Sequence, residues 1–445
     1  MKRTPDPRAA RRFALASALV TSTLFTTAAC GVPEMPASFA APELPAGVPE
    51  DVGLSSERLA RLDGAMQGLI DRGELAGMTI MLARHGRVVH STQFGMRDIA
   101  AADPMLEDAM FRIYSMTKPI AGVALMMLYE EGRFRLSDPV AKYIPEFSDL
   151  QVAAGVGPNG PLLEDADHPM TIRELMSHTA GLTYGLFSRS QVDSMYREAD
   201  VLDRESTLRD MIEKLSRIPL RQQPGSRWHY SVAVDVQGYL VEVLSGQPFD
   251  EFLRQRIFEP LGMIDTGFWV PSEKADRLAQ VYQYEEDTRS LVTREGSGSE
   301  GSPYLEKPRL FSGGGGLVST TADYMRFSQM LLNGGQLDGV RILSPLTIDL
   351  MTRNQMPRDV PEMAPGTGFG LDFAVVLDPV EADGVSRGEY YWGGAAGTWF
   401  WIDPVEDLIF VGMIQQFGEG RPDVRSLSRR LVYQAIMEPA AVADQ

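Results

Sequence analysis

A serine and a lysine stand three residues apart in the segment Tyr114-Ser115-Met116-Thr117-Lys118. If this segment begins a helix, Ser115 and Lys118 lie one turn apart on the same face. A lysine beside a serine hydroxyl can accept its proton and make the oxygen a nucleophile. The N-terminal end of a helix also favours the negative charge that develops there. This combination predicts nucleophilic catalysis at Ser115 with Lys118 as a base. A serine and a lysine at this spacing also occur by chance, so the motif needs support from other segments.

A tyrosine in a second segment supports this interpretation. Tyr230 follows the turn Gln223-Pro224-Gly225 and precedes a predicted helix that begins at Ser231. A phenol held in such a site can relay protons between Ser115 and a leaving group. We therefore predict a base system made of Lys118 and Tyr230.

A third segment, Trp392-Gly393-Gly394-Ala395, lies within a predicted strand. Two glycines weaken a strand unless something approaches its backbone closely. A substrate is such a partner, so Trp392, Gly393 and Gly394 are candidate substrate-binding residues. A backbone N–H from this strand, paired with that of Ser115, would form an oxyanion hole.

Several other residues compete for a chemical role. Ser386 occupies the middle of a G-x-S-x-G pattern, but it lies in a polar stretch without a following helix, so a loop is predicted. The five histidines show no metal-binding spacing, and we expect neither a metal nor a cofactor. His178 is interpreted as a residue that holds a loop, and His229 as a neighbour of the site. Trp392, Trp399 and Tyr184 either shape an acyl pocket or belong to the core.

The surrounding pattern predicts the elements that position these residues. A helix over 55–72 and a hairpin over 78–96 precede a mainly helical region of about 119–310. Residues 285–303 are polar and predict a loop, and the last part of the chain contains three strand-like runs and a closing helix. This order predicts an α+β fold with an antiparallel sheet of five or more strands, flanked by terminal helices and joined to an inserted helical subdomain. The later elements are 369–377, 389–401, 408–416 and the helix 423–437.

The N-terminal residues follow a different pattern. Residues 1–30 combine a basic start with an apolar run from Phe13 to Ala29, which is typical of a secretory signal. Cys30, the only cysteine, follows Thr27-Ala28-Ala29 and resembles the residue that bacteria lipidate, although an ordinary cleavage site with an incidental cysteine stays open. Residues 31–53 are rich in Pro and Ala and predict a tether, and 54–437 form the hydrolase domain. We expect export to the periplasm or outer membrane, with a lipid anchor as the membrane contact, or secretion.

The bulk composition excludes one class of partner. The chain has 445 residues and a net charge of −18, whereas nucleic-acid binding requires a basic surface, so no nucleic-acid partner is expected.

Together these segments resemble the serine β-lactamase-like superfamily, which includes class C β-lactamases, D-alanyl-D-alanine peptidases and family VIII carboxylesterases. The similarity covers about residues 53–416 and rests on the Ser115/Lys118 pair and on several longer phrases. The resemblance implies Ser115 as the nucleophile, Lys118 and Tyr230 as the base system, and the N–H groups of Ser115 and Ala395 as the oxyanion hole. The phrases are LMSHTAGLTY at 175–184, PGSRWHYS at 224–231, IFEPLGMIDTGF at 257–268, GGGGLVST at 313–320 and WGGAAGTWFWIDP at 392–404.

Two departures from the family pattern bear on the substrate. β-Lactamases carry Lys-Thr-Gly where this chain has Trp392-Gly393-Gly394, and asparagine where it has Val232. The missing lysine would have met the carboxylate of a β-lactam or of a D-alanine peptide. The pattern favours a carboxylesterase that acts on small or short-chain esters. A β-lactamase or D-amino-acid peptidase, and an inactive envelope-tethered binding homologue, remain as alternatives.

Overall fold

The computed structural model describes residues 43–440 except 159, 286, 299, 300, 384 and 385. Its α-helices are α1 (Ser56–Asp71), α2 (Thr117–Glu130), α3 (Ile172–Met176), α4 (Gln191–Glu198), α5 (Leu208–Leu215), α6 (Ala233–Ser245), α7 (Phe249–Leu253), α8 (Glu259–Leu261), α9 (Thr321–Leu332), α10 (Pro345–Met351) and α11 (Val424–Tyr433).

The strands are short except for the first two. In chain order they are β1 (Gly77–Arg84), β2 (Arg87–Asp98), β3 (Asp103–Pro104), β4 (Phe111–Arg112), β5 (Val152–Gly157), β6 (Gly160–Glu164), β7 (Tyr282–Glu285), β8 (Ser290–Thr293), β9 (Val318–Ser319), β10 (Gln336–Leu337), β11 (Val340–Arg341), β12 (Thr367–Phe369), β13 (Ala374–Val376), β14 (Tyr390–Gly393), β15 (Trp399–Asp403), β16 (Leu408–Met413) and β17 (Gln416–Phe417).

One antiparallel sheet joins the two ends of the chain. Its order is β12-β13-β14-β15-β16-β1-β2-β3, and β1 pairs with β16 on one side and with β2 on the other. Both faces of β1 are buried, and successive side chains enter different cores because a strand alternates its faces. Ile80 and Leu82 pack with residues of α1 and α11, whereas Met81 and Ala83 pack with residues of α2, α6 and α9. The α+β class, the antiparallel sheet and the flanking terminal helices are confirmed.

The sheet is larger than the five strands counted from sequence patterns, because two predicted runs each break into two strands. The run 369–377 divides into β12 and β13 around Asp372, which has a positive φ of 66°. The run 389–401 divides into β14 and β15, which pair with each other across the turn that contains Gly394. Apolar residues flank both turns, and the glycines of the second turn were interpreted as a point of substrate contact within one strand, so neither break was predicted.

The inserted region contains helices α2–α8 together with two hairpins. β5 pairs with β6, and β7 pairs with β8 and with β17. β8 lies inside the stretch 285–303 that was predicted as a loop. Its residues Ser290–Thr293 are polar or half-buried because the strand lies on the surface at the edge of a small sheet. The prediction of a loop was therefore wrong for this strand.

The predicted tether is also shorter than expected. Gly47 N donates to Val88 O at 2.9 Å, and Val88 N donates to Pro45 O at 2.8 Å. The residues Pro49–Val52 form a 3-10 helix, and Val52 is buried. Burial of this one apolar side chain and pairing with β2 order the stretch despite its Pro- and Ala-rich composition.

The signal, Cys30 and most of the tether lie outside the described residues. Within the described part, no helix combines the length and the apolar composition that a membrane crossing requires.

Candidate active site

Ser115 is presented at the junction between a short strand and a helix. β4 pairs with β9, and Ile113 N donates to Leu317 O at 3.0 Å, so the chain enters the site from a paired strand. Tyr114 then takes a positive φ of 42°, which is unfavourable for a bulky residue. A 3-10 turn over Tyr114–Met116 leads directly into α2. Strain of this kind persists where the surroundings hold it, and it commonly accompanies functional sites.

Helix α9 and the glycine-rich segment before it hold the start of α2. The buried Tyr324 of α9 donates its hydroxyl to Met116 O at 2.9 Å. The Oγ1 of Thr117 accepts a hydrogen bond from Leu317 N at 3.2 Å. These two bonds hold the two residues that directly follow Ser115, and they restrain the start of the helix that carries it.

Lys118 is completely buried and its Nζ reaches three oxygen atoms. It lies 3.2 Å from Ser115 Oγ and 2.8 Å from Tyr184 Oη, and it also donates to the carbonyl oxygen of Gly314. The serine and lysine predicted from their spacing are thus within hydrogen-bonding distance. A buried amine requires such partners, because an unpaired buried polar group is costly.

The glycine run 313–316 has a structural purpose that sequence reasoning missed. A Cβ on Gly314 would lie 2.4 Å from Asp235 Oδ2 and 2.7 Å from Tyr184 Oη, so a side chain there would displace both residues. Asp235 fixes the run by accepting hydrogen bonds from Gly314 N, at 3.0 Å, and from Ser312 Oγ. Burial raises the pKa of Asp235, and the nearby charge of Lys118 opposes that rise.

Tyr230 lies within a cluster of aromatic rings. Its ring centroid is 4.6 Å from Lys118 Nζ, so the ring covers the amine. In contrast to Tyr184, its hydroxyl has no hydrogen bond to another described residue. The surrounding rings, with centroids 4.9–6.2 Å from that of Tyr230, are His178, Tyr184, Phe187, Trp228 and Trp392.

The two histidines near Tyr230 contact residues next to the site without lining its cavity. His178 is buried, and its Nδ1 is 3.2 Å from Ser231 Oγ. Burial and the neighbouring charge of Lys118 hold the pKa of His178 well below its usual value, so the ring is neutral. The ring of His229 contacts Thr183 Oγ1 at 3.0 Å and the guanidinium of Arg221. Neither histidine is within the set of described residues that lines the cavity.

The turn after β14 lies directly against the segment that carries Ser115. Thr398 Oγ1 donates to Ile113 O at 3.3 Å, and a Cβ on Gly394 would lie 2.4 Å from the same carbonyl oxygen. Within the described part of the chain, the amide N–H groups of Ser115 and Ala395 donate no hydrogen bond to another residue. Both are therefore available to a substrate oxygen.

These groups open into one cavity of about 520 Å³. Ser115, Tyr230, Trp392, Gly393, Gly394 and Ala395 all line it, so the predicted nucleophile, tyrosine and substrate-binding residues lie together. The remaining wall is largely aromatic and aliphatic, a composition typical of a site for a mostly apolar small molecule. It consists of Tyr114, Tyr184, Leu186, Phe187, Leu202, Arg204, Tyr304, Pro308, Leu310, Ser312 and Gly314–Gly316.

The competing candidates have other positions. Ser386 follows two undescribed residues in the loop between β13 and β14, without a helix behind it. Trp399 is buried in the core, where its Nε1 donates to Ser428 Oγ at 3.2 Å, so it does not shape an acyl pocket. Tyr184 lines the cavity, but it also contacts Lys118, a role that only its place at the end of LMSHTAGLTY could have indicated. No group of three or more metal-ligating side chains is found among the described residues.

The sheet between two helical layers, with a buried lysine beside a serine at the start of a helix, defines a serine hydrolase of the Ser-x-x-Lys type. The family model described as Beta-lactamase matches residues 62–434, and the chain belongs to that family.

Three similar proteins illustrate the range of the family. The chain is 35% identical over 372 residues to Protein Rv1367c of Mycobacterium tuberculosis, covering 80% of this chain and 90% of that protein. It is 32% identical over 362 residues to Esterase EstB of Burkholderia gladioli, covering 77% of this chain and 86% of the relative. Among solved structures, EstCE1, described as a hydrolase with promiscuous acyltransferase activity, matches with a TM-score of 0.73 and 29% identity, over 86% of this chain and 99% of its own.

Proposed function

We propose that this serine hydrolase is a carboxylesterase that forms an acyl-enzyme on Ser115 and acts on small or short-chain esters. The observation that carries the proposal is the 3.2 Å contact between the buried Lys118 Nζ and Ser115 Oγ, since Ser115 lines a cavity with largely apolar walls. The similarity to Esterase EstB supports the choice of an ester as substrate.

The contacts of Lys118 suit it to remove the proton from Ser115. A neutral amine has two N–H donors and one lone pair. The two donors match the acceptors Gly314 O and Tyr184 Oη, which leaves the lone pair for the hydroxyl hydrogen of Ser115. Ser115 Oγ then bonds to the ester carbonyl carbon as its proton passes to Lys118.

The carbonyl oxygen becomes negatively charged in this step. The free N–H groups of Ser115 and Ala395 would donate to it, and preorganised donors of this kind contribute a large part of catalysis. Collapse of the intermediate breaks the bond to the alcohol, which leaves with a proton supplied by the base system of Lys118 and Tyr230. Water then attacks the acyl carbon, gives its proton to the same base system, and Ser115 Oγ leaves with a proton as the acid is released.

The part of the cavity wall formed by Trp392 favours esters over β-lactams. Trp392 stands where β-lactamases of this superfamily carry a lysine, and its ring packs 5.5 Å from Tyr230 and 5.3 Å from Phe369. An indole there gives an acyl group an apolar contact but gives no charge to the carboxylate of a β-lactam. The family also contains β-lactamases and peptidases, so lactam or D-amino-acid peptide hydrolysis is the second candidate. An inactive binding homologue is disfavoured because Ser115 and Tyr230 line one cavity and the buried Lys118 contacts both of them.

Parallel kinetics on p-nitrophenyl butyrate and nitrocefin test the proposal. The purified domain from residue 43 onwards should hydrolyse the ester with kcat/KM at least about 100 times that for nitrocefin, a gap of roughly 2.7 kcal/mol. Ser115→Ala should reduce both reactions to background. Efficient nitrocefin hydrolysis with feeble ester turnover would overturn the esterase proposal, and inactivity of the folded wild type on both would favour the binding homologue.

A further inference from the structure

One part of the cavity wall carries a positive charge. Arg204, in the loop between α4 and α5, is the one charged side chain among the described residues that line the cavity. Its guanidinium carbon lies 4.7 Å from the ring centroid of Tyr304, and its Nη2 donates to Pro303 O at 2.9 Å. Across the described chain, no aspartate or glutamate forms an ion pair with Arg204.

Two more arginines surround the same wall. Arg112 lies 5.3 Å from the ring centroid of Tyr304, and its buried guanidinium donates to two carbonyl oxygens and one hydroxyl rather than to a carboxylate. Arg294 lies 4.6 Å from the ring centroid of Phe417, and that ring meets Tyr114 edge-on at 5.6 Å. Tyr114 and Tyr304 both line the cavity, so these two arginines lie close to residues of its wall without lining it themselves.

The titration of Tyr114 reflects this environment. Burial raises its pKa to about 12, with a smaller contribution from Tyr304, while Arg112, Arg294 and Arg204 oppose the rise. The charged residues that act on Tyr114 are all arginines. In a chain with 60 acidic and 42 basic residues, this grouping makes one wall of the cavity attractive to an anion although the whole molecule is negative.

We propose that Arg204, together with the hydroxyl-bearing wall of Tyr114 and Tyr304, binds a carboxylate of the substrate, so that the preferred substrates are monoanionic esters. The carboxylate would reach Arg204 while the ester carbonyl lies at Ser115. Guanidinium has five donors in a planar fork that suits a carboxylate, and the bonds of Arg204 to Pro303 O and to the Tyr304 side chain leave donors for a ligand. The positive charge that would bind the carboxylate thus lies beside Tyr304. Trp392, at the position of the β-lactamase lysine, packs with Tyr230 and Phe369 and carries no charge. This inference rests on the proposed esterase function.

Matched ester pairs test the assignment. For the acyl side, mono-p-nitrophenyl adipate is compared with its methyl ester, which has the same chain without the charge. For the alcohol side, 4-carboxyphenyl butyrate is compared with 4-(methoxycarbonyl)phenyl butyrate. Each pair is measured with the wild type, Arg204→Gln, Arg204→Lys and the control Arg209→Gln, which removes a charge from the exposed face of α5 where Arg209 pairs with Glu213.

The wild type should prefer the charged member of one pair. Arg204→Gln should lower kcat/KM for that anionic ester by about 10- to 100-fold, mainly through KM, since it removes a charge-assisted hydrogen bond. The neutral partner should change by less than about 2-fold, Arg204→Lys should recover part of the loss, and Arg209→Gln should have no effect. Equal losses on both members of a pair, or no wild-type preference for either carboxylate, would overturn the inference. Neutral esters would still be hydrolysed in that case, whereas failure of the esterase proposal would abolish turnover of every substrate.

Discussion

Lys118 contacts two aromatic residues in different ways, and this difference separates their predicted roles. Tyr184 presents its hydroxyl to the amine at 2.8 Å, whereas Tyr230 presents its ring face at 4.6 Å. Burial and then the neighbouring Tyr230 raise the pKa of Tyr184 far above its ordinary value, so its hydroxyl keeps its proton. Tyr184 is suited to orient Lys118, and Tyr230, which has no hydrogen bond to another described residue, is free to meet a leaving group.

Phenylalanine at these two positions tests this division. Tyr230→Phe should lower kcat for ester hydrolysis by about 10²–10⁴, the range for a lost acid–base group. Tyr184→Phe should cost less, about tenfold, because Gly314 O and Ser115 Oγ still hold the amine. Steady-state kinetics and circular dichroism on both variants provide the measurement. If a folded Tyr230→Phe protein kept full activity while Tyr184→Phe lost nearly all of it, the roles assigned to the two tyrosines would have to be exchanged.

At the scale of elements, close contacts between distant segments build the site. Gly394 brings the turn after β14 against the carbonyl of Ile113, and Gly314 brings its own carbonyl to Lys118. The same turn places Ala395 in the wall of the cavity that Ser115 also lines. Glycine is required because a Cβ would meet backbone or carboxylate atoms at each point.

Gly394→Ala should therefore impair the oxyanion hole. The added Cβ would lie 2.2 Å from Thr398 Oγ1 and 2.4 Å from Ile113 O, so the turn must move and Ala395 with it. We expect kcat to fall by about 10²–10³, the cost of losing one oxyanion donor, with a smaller change in KM. Gly64→Ala on α1, where a Cβ meets nothing within 4 Å, is the control. Wild-type kcat in a stable Gly394→Ala protein would show that Ala395 does not serve the oxyanion.

The loop that carries Tyr184 and Phe187 is held by a buried carboxylate. Asp193 accepts hydrogen bonds from Thr183 Oγ1, at 2.6 Å, and from the hydroxyls of Ser188 and Ser190. Burial alone would raise the pKa of Asp193, but these hydroxyls outweigh it and hold the pKa at about 2. The carboxylate is thus stabilised in the folded protein relative to the unfolded chain.

This lowered pKa predicts a loss of stability in acid. The contribution of Asp193 should be complete above about pH 4 and should be lost as the pH falls towards 2, because only the ionised form accepts all these bonds. Asp193→Asn should be less stable than the wild type at pH 6 by about 2 kcal/mol, and the gap should narrow below pH 4. Urea unfolding at several pH values measures the difference in unfolding free energy between the two proteins. A difference that stays constant with pH would contradict a lowered pKa of Asp193.

The sequence predicted these elements where the information is local. The apolar spacing of α1 and the turn between β1 and β2 specify those elements within a few residues, and the Ser115/Lys118 pair needs only one helical turn. The contact of Lys118 with Tyr184 joins residues 66 apart, and its contact with Gly314 joins residues 196 apart. No periodicity encodes such pairs, so the contact of the glycine run 313–316 with Lys118 could not be predicted from the sequence. The breaks at Asp372 and Gly394 were missed for a different reason, because apolar residues flank them and the glycines were interpreted as a substrate contact.

At the scale of the molecule, segments from the N-terminal and C-terminal parts of the described domain meet in the central sheet, and the cavity is lined by residues from 114 to 395. β1 from the N-terminal part pairs with β16 from the C-terminal part. The active site thus depends on the complete domain, and no half of the chain contains it. The family model likewise extends over residues 62–434.

The N-terminal segment is proposed to place this domain in a bacterial envelope. The basic start, the apolar run and Cys30 predict cleavage before Cys30 and lipid on its sulfur. Mass spectrometry of the mature protein from a bacterial host should find Cys30 as the first residue with added acyl chains, and Cys30→Ala should release the protein from membranes. An unmodified Cys30 would contradict the proposed lipid anchor, and an uncleaved chain in the cytosol would contradict the proposed export as well.

The central claim is that Ser115 becomes acylated, and site-specific labelling tests it most directly. The folded protein is treated with a fluorophosphonate probe, digested, and the modified peptide is located by mass spectrometry. We predict one label on Ser115, no label in Ser115→Ala, and full labelling in Ser386→Ala. Among the described residues, a lysine contacts the hydroxyl of Ser115, whereas no side chain hydrogen-bonds the hydroxyl of Ser386. A label on Ser386, or labelling that persists in Ser115→Ala, would contradict the account.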